Sequence, residues 1–115
     1  MLNKLTKKKE FEKVYKNGKS SYNKLLGIKT IKNNTKKARF GIIVSTKISK
    51  KAVERNKIKR QIREILEKEQ KKIKENIECV IITRPEILNK KYKEIEKSIH
   101  KNLRRLNLYK QSIKK

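Results

Sequence analysis

Residues 50–64 read KKAVERNKIKRQIRE, and cationic and aliphatic side chains are mixed along this stretch. A disordered basic tail does not need the isoleucines, and an ordinary core helix does not need the arginines. On an α-helix, at roughly 100° per residue, the aliphatic residues fall on one side, at Ile58, Ile62, Ile65 and Leu66. An adjacent side carries Ala52, Arg55, Asn56, Lys59, Arg60 and Arg63. The stretch therefore predicts a helix that docks on a sheet and presents an ordered cationic surface.

The composition of this surface differs from that of a face that only keeps a helix soluble. The chain has only seven arginines, and three of them are Arg55, Arg60 and Arg63. Arginine binds two phosphate oxygens at once through its planar guanidinium, whereas lysine acts as a point charge. The surface also includes Asn56, which is polar but uncharged. We predict that phosphates bind to five residues, here called the basic strip: Arg55, Asn56, Lys59, Arg60 and Arg63.

The whole chain is strongly basic. It has 115 residues, with 36 lysines and arginines against 11 acidic residues, all glutamate, and a formal net charge of +25. A small protein with this charge attracts polyanions, of which nucleic acid is the first expectation and an anionic membrane surface the second. Hydrophobic residues make up only 34% of the chain, but they are clustered and periodic, which favours a folded chain over a disordered one. We expect one domain over residues 1–115.

The first half of the chain indicates a helix followed by strands. Thr6 is a candidate N-cap and Gly18 a candidate stop, and Phe11, Val14 and Tyr15 lie on one face between them. The segment 22–32 is a weak strand candidate because Gly27 interrupts it, and 33–37 resembles a turn. The β-branched run at 39–46 predicts a buried strand.

The second half indicates a long helix, a strand and a last helix. Ser49 is a candidate cap for the basic helix, which is expected to continue to about residue 75. ECVIIT, residues 78–83, predicts another buried strand that ends before Pro85. Residues 90–106 carry one apolar helical stripe, and the last residues, 110–115, are expected to fray. Together these elements predict an α+β fold, in which a sheet packs against helices as a two-layer α/β sandwich.

The sequence shows no catalytic or metal-binding constellation. His100 is the only histidine, and a surface or packing role is expected for it on a lysine-rich helix. Cys79 is the only cysteine, so no disulfide forms within the chain, and its apolar surroundings favour burial. No apolar run reaches the length of a membrane helix and the N-terminus lacks a signal-peptide core, so a cytoplasmic protein is expected. Any reaction that this chain serves is expected to use catalytic groups of a partner.

The nucleic-acid partner could be DNA or RNA. No helix-turn-helix spacing is evident. A basic helix beside a sheet with exposed aromatic residues suits single-stranded RNA, because unstacked bases can lie on aromatic rings. Phe11 and Tyr15 are candidates for such stacking, and core packing of the first helix is the alternative role for both.

The stretch AVERNKIKRQIRE (52–64) resembles the signature of the bacterial ribonuclease P protein subunit, A-V-x-R-N-x-x-K-R-x-x-R. The matching residues are Ala52, Val53, Arg55, Asn56, Lys59, Arg60 and Arg63. FEKVYKNGKS (11–20) resembles the N-terminal helix and turn of this family. The segment 39–56 is similar to its strand and basic helix, and 80–99 to its last strand and helix. The resemblance covers about residues 5–109.

The resemblance implies both a fold and a function. The implied order is α-β-β-β-α-β-α with a left-handed β-α-β crossover, which is the uncommon hand. Proteins of this family bind a large catalytic RNA, and the ribonucleoprotein removes 5′ leaders from precursor tRNA, with hydrolysis carried out by the RNA and divalent ions, usually Mg²⁺. The implied partners are a ribonuclease P-type RNA and precursor tRNA, without a membrane and without an obligatory protein partner.

The resemblance also implies roles for individual residues. The basic strip is implied to contact the catalytic RNA, and a cleft between the first helix and the sheet to hold the single-stranded leader. Phe11 and Tyr15 align with the aromatic residues of that helix. Lys29 stands where relatives often carry an aromatic cleft residue, so a phosphate contact is expected there in place of stacking. No catalytic or metal-ligating residue is implied in this chain. The alternative function is that of a ribosomal or general RNA-binding protein of similar shape.

Overall fold

The computed structural model describes residues 2–34 and 37–110. In these residues the helices and strands follow the order α-β-β-β-α-β-α, as the resemblance implied. They are α1 (Lys8–Asn17), β1 (Lys19–Tyr22), β2 (Leu26–Lys32), β3 (Arg39–Ile43), α2 (Ala52–Glu69), β4 (Ile77–Thr83) and α3 (Tyr92–Arg105). Short 3₁₀ turns follow α2 at Gln70–Lys72 and β4 at Pro85–Ile87. The predicted α+β fold is confirmed.

The four strands form one sheet in the order β1-β2-β4-β3. β2 pairs antiparallel with both β1 and β4, whereas β3 and β4 are parallel. Because parallel neighbours cannot be joined by a tight turn, the chain must cross over between them, and α2 lies in that crossover. The left hand of the crossover stays a prediction.

α2 and α3 cover one face of the sheet and bury most of its side chains. Strand side chains alternate between the two faces, and β4 turns Ile77, Cys79 and Ile81 towards these helices. The helices contribute Ile58, Ile62, Ile65 and Leu66 from α2 and Ile95, Ile99 and Leu103 from α3. Burial of each such side chain contributes about 1.5–3 kcal/mol. The prediction that the aliphatic side of α2 docks on the sheet is therefore confirmed.

α1 lies against the opposite face and covers only part of it. Val14 of α1 and Val80 of β4 are fully buried there, together with Leu5. Phe11 and Ile82, in contrast, are only partly buried against this small cluster. The sheet is thus closed on one side and partly open on the other.

The N-terminus of α1 is capped by Glu10 and not, as predicted, by Thr6. The carboxylate of Glu10 accepts hydrogen bonds from the backbone N–H groups of Thr6 and Lys7, both at 3.0 Å. It also pairs with the guanidinium of Arg39 at 2.6 Å. The Lys7 N–H, then the Arg39 guanidinium and then the Thr6 N–H lower the pKa of Glu10 to about 2. Glu10 therefore fastens the start of α1 to the edge of β3.

Two of the predicted boundaries are wrong. The segment 22–32 is not one strand: β1 ends at Tyr22, a turn follows, and β2 begins at Leu26. α2 ends at Glu69 rather than near residue 75, because the chain turns there to pair Ile73 with Tyr109.

Ser49 does not cap α2, although it helps to order the approach to the helix. The N-cap position is Lys51, whose N–H donates to the Ser49 hydroxyl at 3.1 Å. Apart from Lys110, the predicted frayed end lies outside the described residues, as does part of the predicted turn at 33–37.

Candidate RNA interface

The basic strip lies along the first turns of α2, on the side that does not face the sheet. Asn56 and Arg60 are exposed, whereas Arg55, Lys59 and Arg63 are half-buried. The guanidinium of Arg55 donates to the carbonyl oxygen of Ser49 at 2.9 Å, which orders this side chain. The structure therefore brings the five predicted residues together on one helix surface, and their role in binding phosphate stays a prediction.

The cations in the middle of the strip are not neutralised by the glutamates of the same helix. Glu64 and Glu67 follow Arg60 and Arg63 by four residues, a spacing at which helical ion pairs can form. Within residues 2–34 and 37–110, however, no carboxylate oxygen lies within 4.0 Å of the charged nitrogens of Lys59, Arg60 or Arg63. A cation that precedes the glutamate is the less favourable order, because it opposes the helix dipole. The donors of the strip are therefore available to an external anion.

A groove of about 300 Å³ connects the basic strip with α1. Lys59 and Arg63 line it together with Lys4 and Phe11. The ring of Phe11 lies on Gly41 of β3, where a Cβ atom would come within 2.4 Å of the ring. Phe11 therefore packs on the sheet and also lines the groove, and its role in stacking a base stays a prediction.

Tyr15 and Lys29 form a pair on the open face of the sheet. Tyr15 lies one helical turn after Phe11 and is 39% exposed. The ammonium of Lys29 lies 4.8 Å from the centroid of the Tyr15 ring and 3.5 Å from the Tyr15 carbonyl oxygen, which is a cation–π arrangement. Burial, and then the nearby phenol of Tyr22, raise the pKa of Tyr15. An aromatic ring and a positive charge are thus presented together.

Tyr22 is an aromatic residue of this face that the sequence analysis missed. It lies opposite Gly27 in the β1–β2 register, and its ring covers that glycine. A Cβ atom on Gly27 would lie only 2.1 Å from Cδ2 of Tyr22. A glycine inside a strand often marks such a close approach. In the sequence analysis, Tyr22 and Gly27 were placed in a single strand, in which they could not lie opposite each other. Gly27 was therefore not interpreted as a sign of a close approach.

The exposed part of this face is here called the aromatic cleft, defined by Phe11, Tyr15, Tyr22 and Lys29. Its floor includes Ile82, which is half-buried. The predicted cleft residues Phe11, Tyr15 and Lys29 are thus on one face of the sheet, and Tyr22 joins them. Aromatic rings beside positive charges are the usual means of binding unpaired nucleotides.

The two residues set aside in the sequence analysis are both packed. The Cys79 thiol is buried on the closed face, and burial raises its pKa to about 12. Nε2 of His100 is buried, lies 3.4 Å from a carboxylate oxygen of Glu69, and belongs to a ring that packs edge-on against Tyr109.

Residues 2–34 and 37–110 contain neither a metal-binding cluster nor a membrane-spanning helix. No three histidine, cysteine or acidic side chains in these residues are grouped so that they could hold a metal ion. No helix in the same residues combines the length and apolar character needed to cross a membrane.

Comparisons of the sequence and of the structure with known proteins point to the same family. A family model described as Ribonuclease P matches residues 2–107. The ribonuclease P protein component of Alkaliphilus metalliredigens is 38% identical over 106 residues, which are 92% of this chain and 95% of the relative. That of Clostridium botulinum strain 657 is 40% identical over 108 residues, covering 93% of this chain and 96% of the relative.

Two solved structures share the fold. The ribonuclease P protein of Staphylococcus aureus superposes with a TM-score of 0.87 at 29% identity, over 96% of this chain and 100% of that one. The protein from Thermotoga maritima has a TM-score of 0.78 at 27% identity, over 86% of this chain and 93% of that one.

Proposed function

The chain belongs to the ribonuclease P protein family, and on that premise we propose that it is the protein subunit of a ribonucleoprotein endonuclease that removes the 5′ leader from precursor tRNA. Its partners are a ribonuclease P-type RNA and precursor tRNA, and it needs no obligatory protein partner. The RNA carries out the hydrolysis with Mg²⁺, which is bound mainly by that RNA. We propose a cytoplasmic location for the complex.

The basic strip binds the catalytic RNA in this proposal. The observation that carries the assignment is the set of cations at Lys59, Arg60 and Arg63 that have no carboxylate partner in the described residues. Their helix is fixed by four aliphatic side chains packed on the sheet, so the strip is held in one geometry before RNA arrives. Such preorganisation reduces the entropy lost on binding.

The aromatic cleft holds the single-stranded leader. Tyr15 offers a ring face or edge for a base, and the Lys29 ammonium beside it offers a contact for a neighbouring phosphate. Phe11 supports the cleft through its packing on Gly41. Because Phe11 also lines the groove that reaches Lys59 and Arg63, the leader and the catalytic RNA can be bound side by side. We expect such a complex to bind precursor tRNA more tightly than mature tRNA, which has no leader.

The alternative is a ribosomal or general RNA-binding protein. A general binder would use the same cations, because phosphate contacts carry no sequence information. The two functions differ in the aromatic cleft, which a general binder does not need for discrimination between precursor and mature tRNA. Dependence on a leader therefore separates the two candidates.

Reconstitution with a ribonuclease P-type RNA tests the proposal. We expect the protein to restore leader cleavage at a low Mg²⁺ concentration at which the RNA alone is inactive. The protein alone should not cleave. Cleavage by the repurified, nuclease-treated protein without RNA would contradict the proposal, as would a complex that is no more active than the RNA alone.

A further inference from the structure

A second group of arginines lies at the edge of the sheet opposite the basic strip. β3, beside the strip, forms one edge, and β1 forms the other. Arg84 follows β4 and Arg105 ends α3, and both reach the turn after β1. The guanidinium of Arg105 donates to the carbonyl oxygen of Tyr22 at 3.2 Å, and that of Arg84 donates to the carbonyl oxygen of Asn23 at 3.3 Å.

This turn is itself held in place by Asn23. The amide oxygen of Asn23 accepts hydrogen bonds from the backbone N–H groups of Leu25 and Leu26, both at 3.3 Å. Its amide nitrogen donates to the carbonyl oxygen of Ser98 in α3 at 3.1 Å. The two guanidinium groups are thus anchored to a turn that is tied to a helix, so their positions are largely fixed before any ligand binds.

The two arginines keep most of their hydrogen-bonding capacity. A guanidinium has five N–H donors, and each of these groups makes one hydrogen bond to a backbone carbonyl. In the part of the chain that the structure describes, no carboxylate lies within 4.0 Å of the charged nitrogens of Arg84 or Arg105. Both therefore have donors for an external phosphate.

An exposed aromatic ring lies beside these charges. The ring of Tyr22 covers Gly27, is 39% exposed, and has the guanidinium carbon of Arg84 5.9 Å from its centroid. Gly27 and Lys29 point to the same face of β2, so the Tyr22 ring over Gly27 lies on the same face of the sheet as the Tyr15 ring beside Lys29. The ring therefore forms the end of the aromatic cleft at the β1 edge of the sheet.

We propose that Tyr22, Arg84 and Arg105 form a second nucleotide site, in which an unpaired base stacks on Tyr22 and adjacent phosphates bind the two guanidinium groups. The identity of the strand rests on the proposed function: it is the part of the leader upstream of the nucleotides at Tyr15. The direction follows from the layout, because the path from Phe11 through Tyr15 to Tyr22 leads away from the basic strip and its catalytic RNA.

The competing role for the two arginines is purely structural. They could serve only to fasten the turn at 22–23 to β4 and α3. In that case their loss would lower stability without any dependence on leader length. A nucleotide site, in contrast, adds affinity only when the leader is long enough to reach it.

A leader-length series in the reconstituted complex distinguishes these roles. The dissociation constant of precursor tRNA would be measured for leaders of increasing length, with mature tRNA as the zero point. For the unmodified complex we expect affinity to rise as the leader fills the Tyr15 region and to rise again as it reaches Tyr22. For Tyr22→Leu and Arg105→Gln we expect unchanged affinity for short leaders and loss of the second rise. The loss should be roughly 5- to 150-fold for Tyr22→Leu, the range expected for a stacked base.

Two other residues provide matched controls. Arg104→Gln removes an exposed arginine that precedes Arg105 and whose guanidinium makes no hydrogen bond or ion pair in the described residues. Tyr92→Leu removes a half-buried tyrosine at the start of α3. Both should keep the second rise, and thermal unfolding should show that all variants are folded.

The outcomes separate this inference from the proposed function. If Tyr22→Leu and Arg105→Gln reduce the affinity for precursor tRNA equally at all leader lengths, or at none, the second site does not exist, even though the proposed function stands. If the unmodified complex binds precursor and mature tRNA equally well, the proposed function fails and the inference fails with it.

Discussion

The two faces of the sheet are covered in different ways. On the face against α2 and α3, aliphatic side chains such as Ile62, Ile81 and Ile99 are fully buried. On the face against α1, the fully buried residues in the described chain are few, and Tyr15 and Tyr22 remain 39% exposed. The neighbours Ile81 and Ile82 show the difference within one strand, since Ile81 is fully buried and Ile82 is not.

This difference suggests how a chain with only 34% hydrophobic residues can both fold and bind RNA. The apolar residues are concentrated on one face, where they give most of the stability. The other face is only partly covered, so its aromatic rings and cations remain exposed and can contact a ligand. Changes on the closed face should therefore affect folding, and changes on the open face should affect binding.

The largest effect is expected from shortening Ile81. Ile81→Ala leaves a cavity in the closed core and should lower the free energy of unfolding by about 2–5 kcal/mol. Ile82→Ala, one residue further on the open face, should have a clearly smaller effect because its side chain is already partly exposed. Denaturant unfolding of both variants measures the difference. Equal losses of stability would show that the two faces do not differ as described.

A smaller effect is expected at Gly27 on the open face. The Cβ atom of Gly27→Ala would lie 2.1 Å from the Tyr22 ring, so the ring must move, at a cost of about 1–3 kcal/mol. In a Tyr22→Ala background the same substitution should be much better tolerated. A double-mutant cycle in denaturant unfolding measures this coupling. Equal costs in both backgrounds would mean that the close approach of Tyr22 is not what requires the glycine.

Removal of one strip cation should change the salt dependence of RNA binding without unfolding the protein. If Arg60 binds a phosphate, Arg60→Gln should reduce the slope of log affinity against log salt by roughly 0.7–0.9. Lys57→Gln is a matched control, because Lys57 is an exposed cation of the same helix that lies outside the strip. Titrations of the ribonuclease P-type RNA at several salt concentrations give the slopes. Identical slopes for Arg60→Gln and Lys57→Gln would indicate a face that serves solubility alone.

The smallest effect concerns the attachment of α1 through Glu10. Its pKa is lowered from the ordinary value of 4.5 to about 2 in the folded protein. The charged Glu10 therefore adds stability that is fully present above pH 4.5 and is lost as the pH falls towards 2. Glu10→Gln should be less stable than the unmodified protein at pH 7, and the difference should disappear near pH 2. Glu12→Gln, at an exposed glutamate of the same helix, should show no such pH-dependent difference.

The closed face could be predicted from the sequence because its signal is local. The spacing of Ile58, Ile62 and Ile65 specifies one side of a helix, and the runs at 39–46 and 78–83 specify buried strands. These patterns depend on the periodicity of each element alone. The helix and strand types were therefore predicted correctly, even where their ends were not.

The open face could be predicted only in part, because it depends on contacts between distant segments. The turn that separates β1 from β2 depends on the Asn23 side chain and its hydrogen bond to Ser98. The position of Tyr22 depends on Gly27 across that turn. Phe11 and Tyr15 were candidates because they are aromatic residues on one face of the first helix, and the resemblance to a family supported them and added Lys29. Tyr22 was not indicated, because both arguments concerned the first helix and one position of the sheet.

The central claim is that the open face recognises the leader, and Tyr15 tests it most directly. The dissociation constants of precursor and mature tRNA would be compared in complexes reconstituted with unmodified protein and with Tyr15→Ala, after circular dichroism has shown that the variant is folded. We expect Tyr15→Ala to weaken the binding of precursor tRNA by about 1–3 kcal/mol and to leave the binding of mature tRNA unchanged. A folded variant in which the binding of both tRNAs is weakened equally, or the binding of neither is weakened, would contradict the claim.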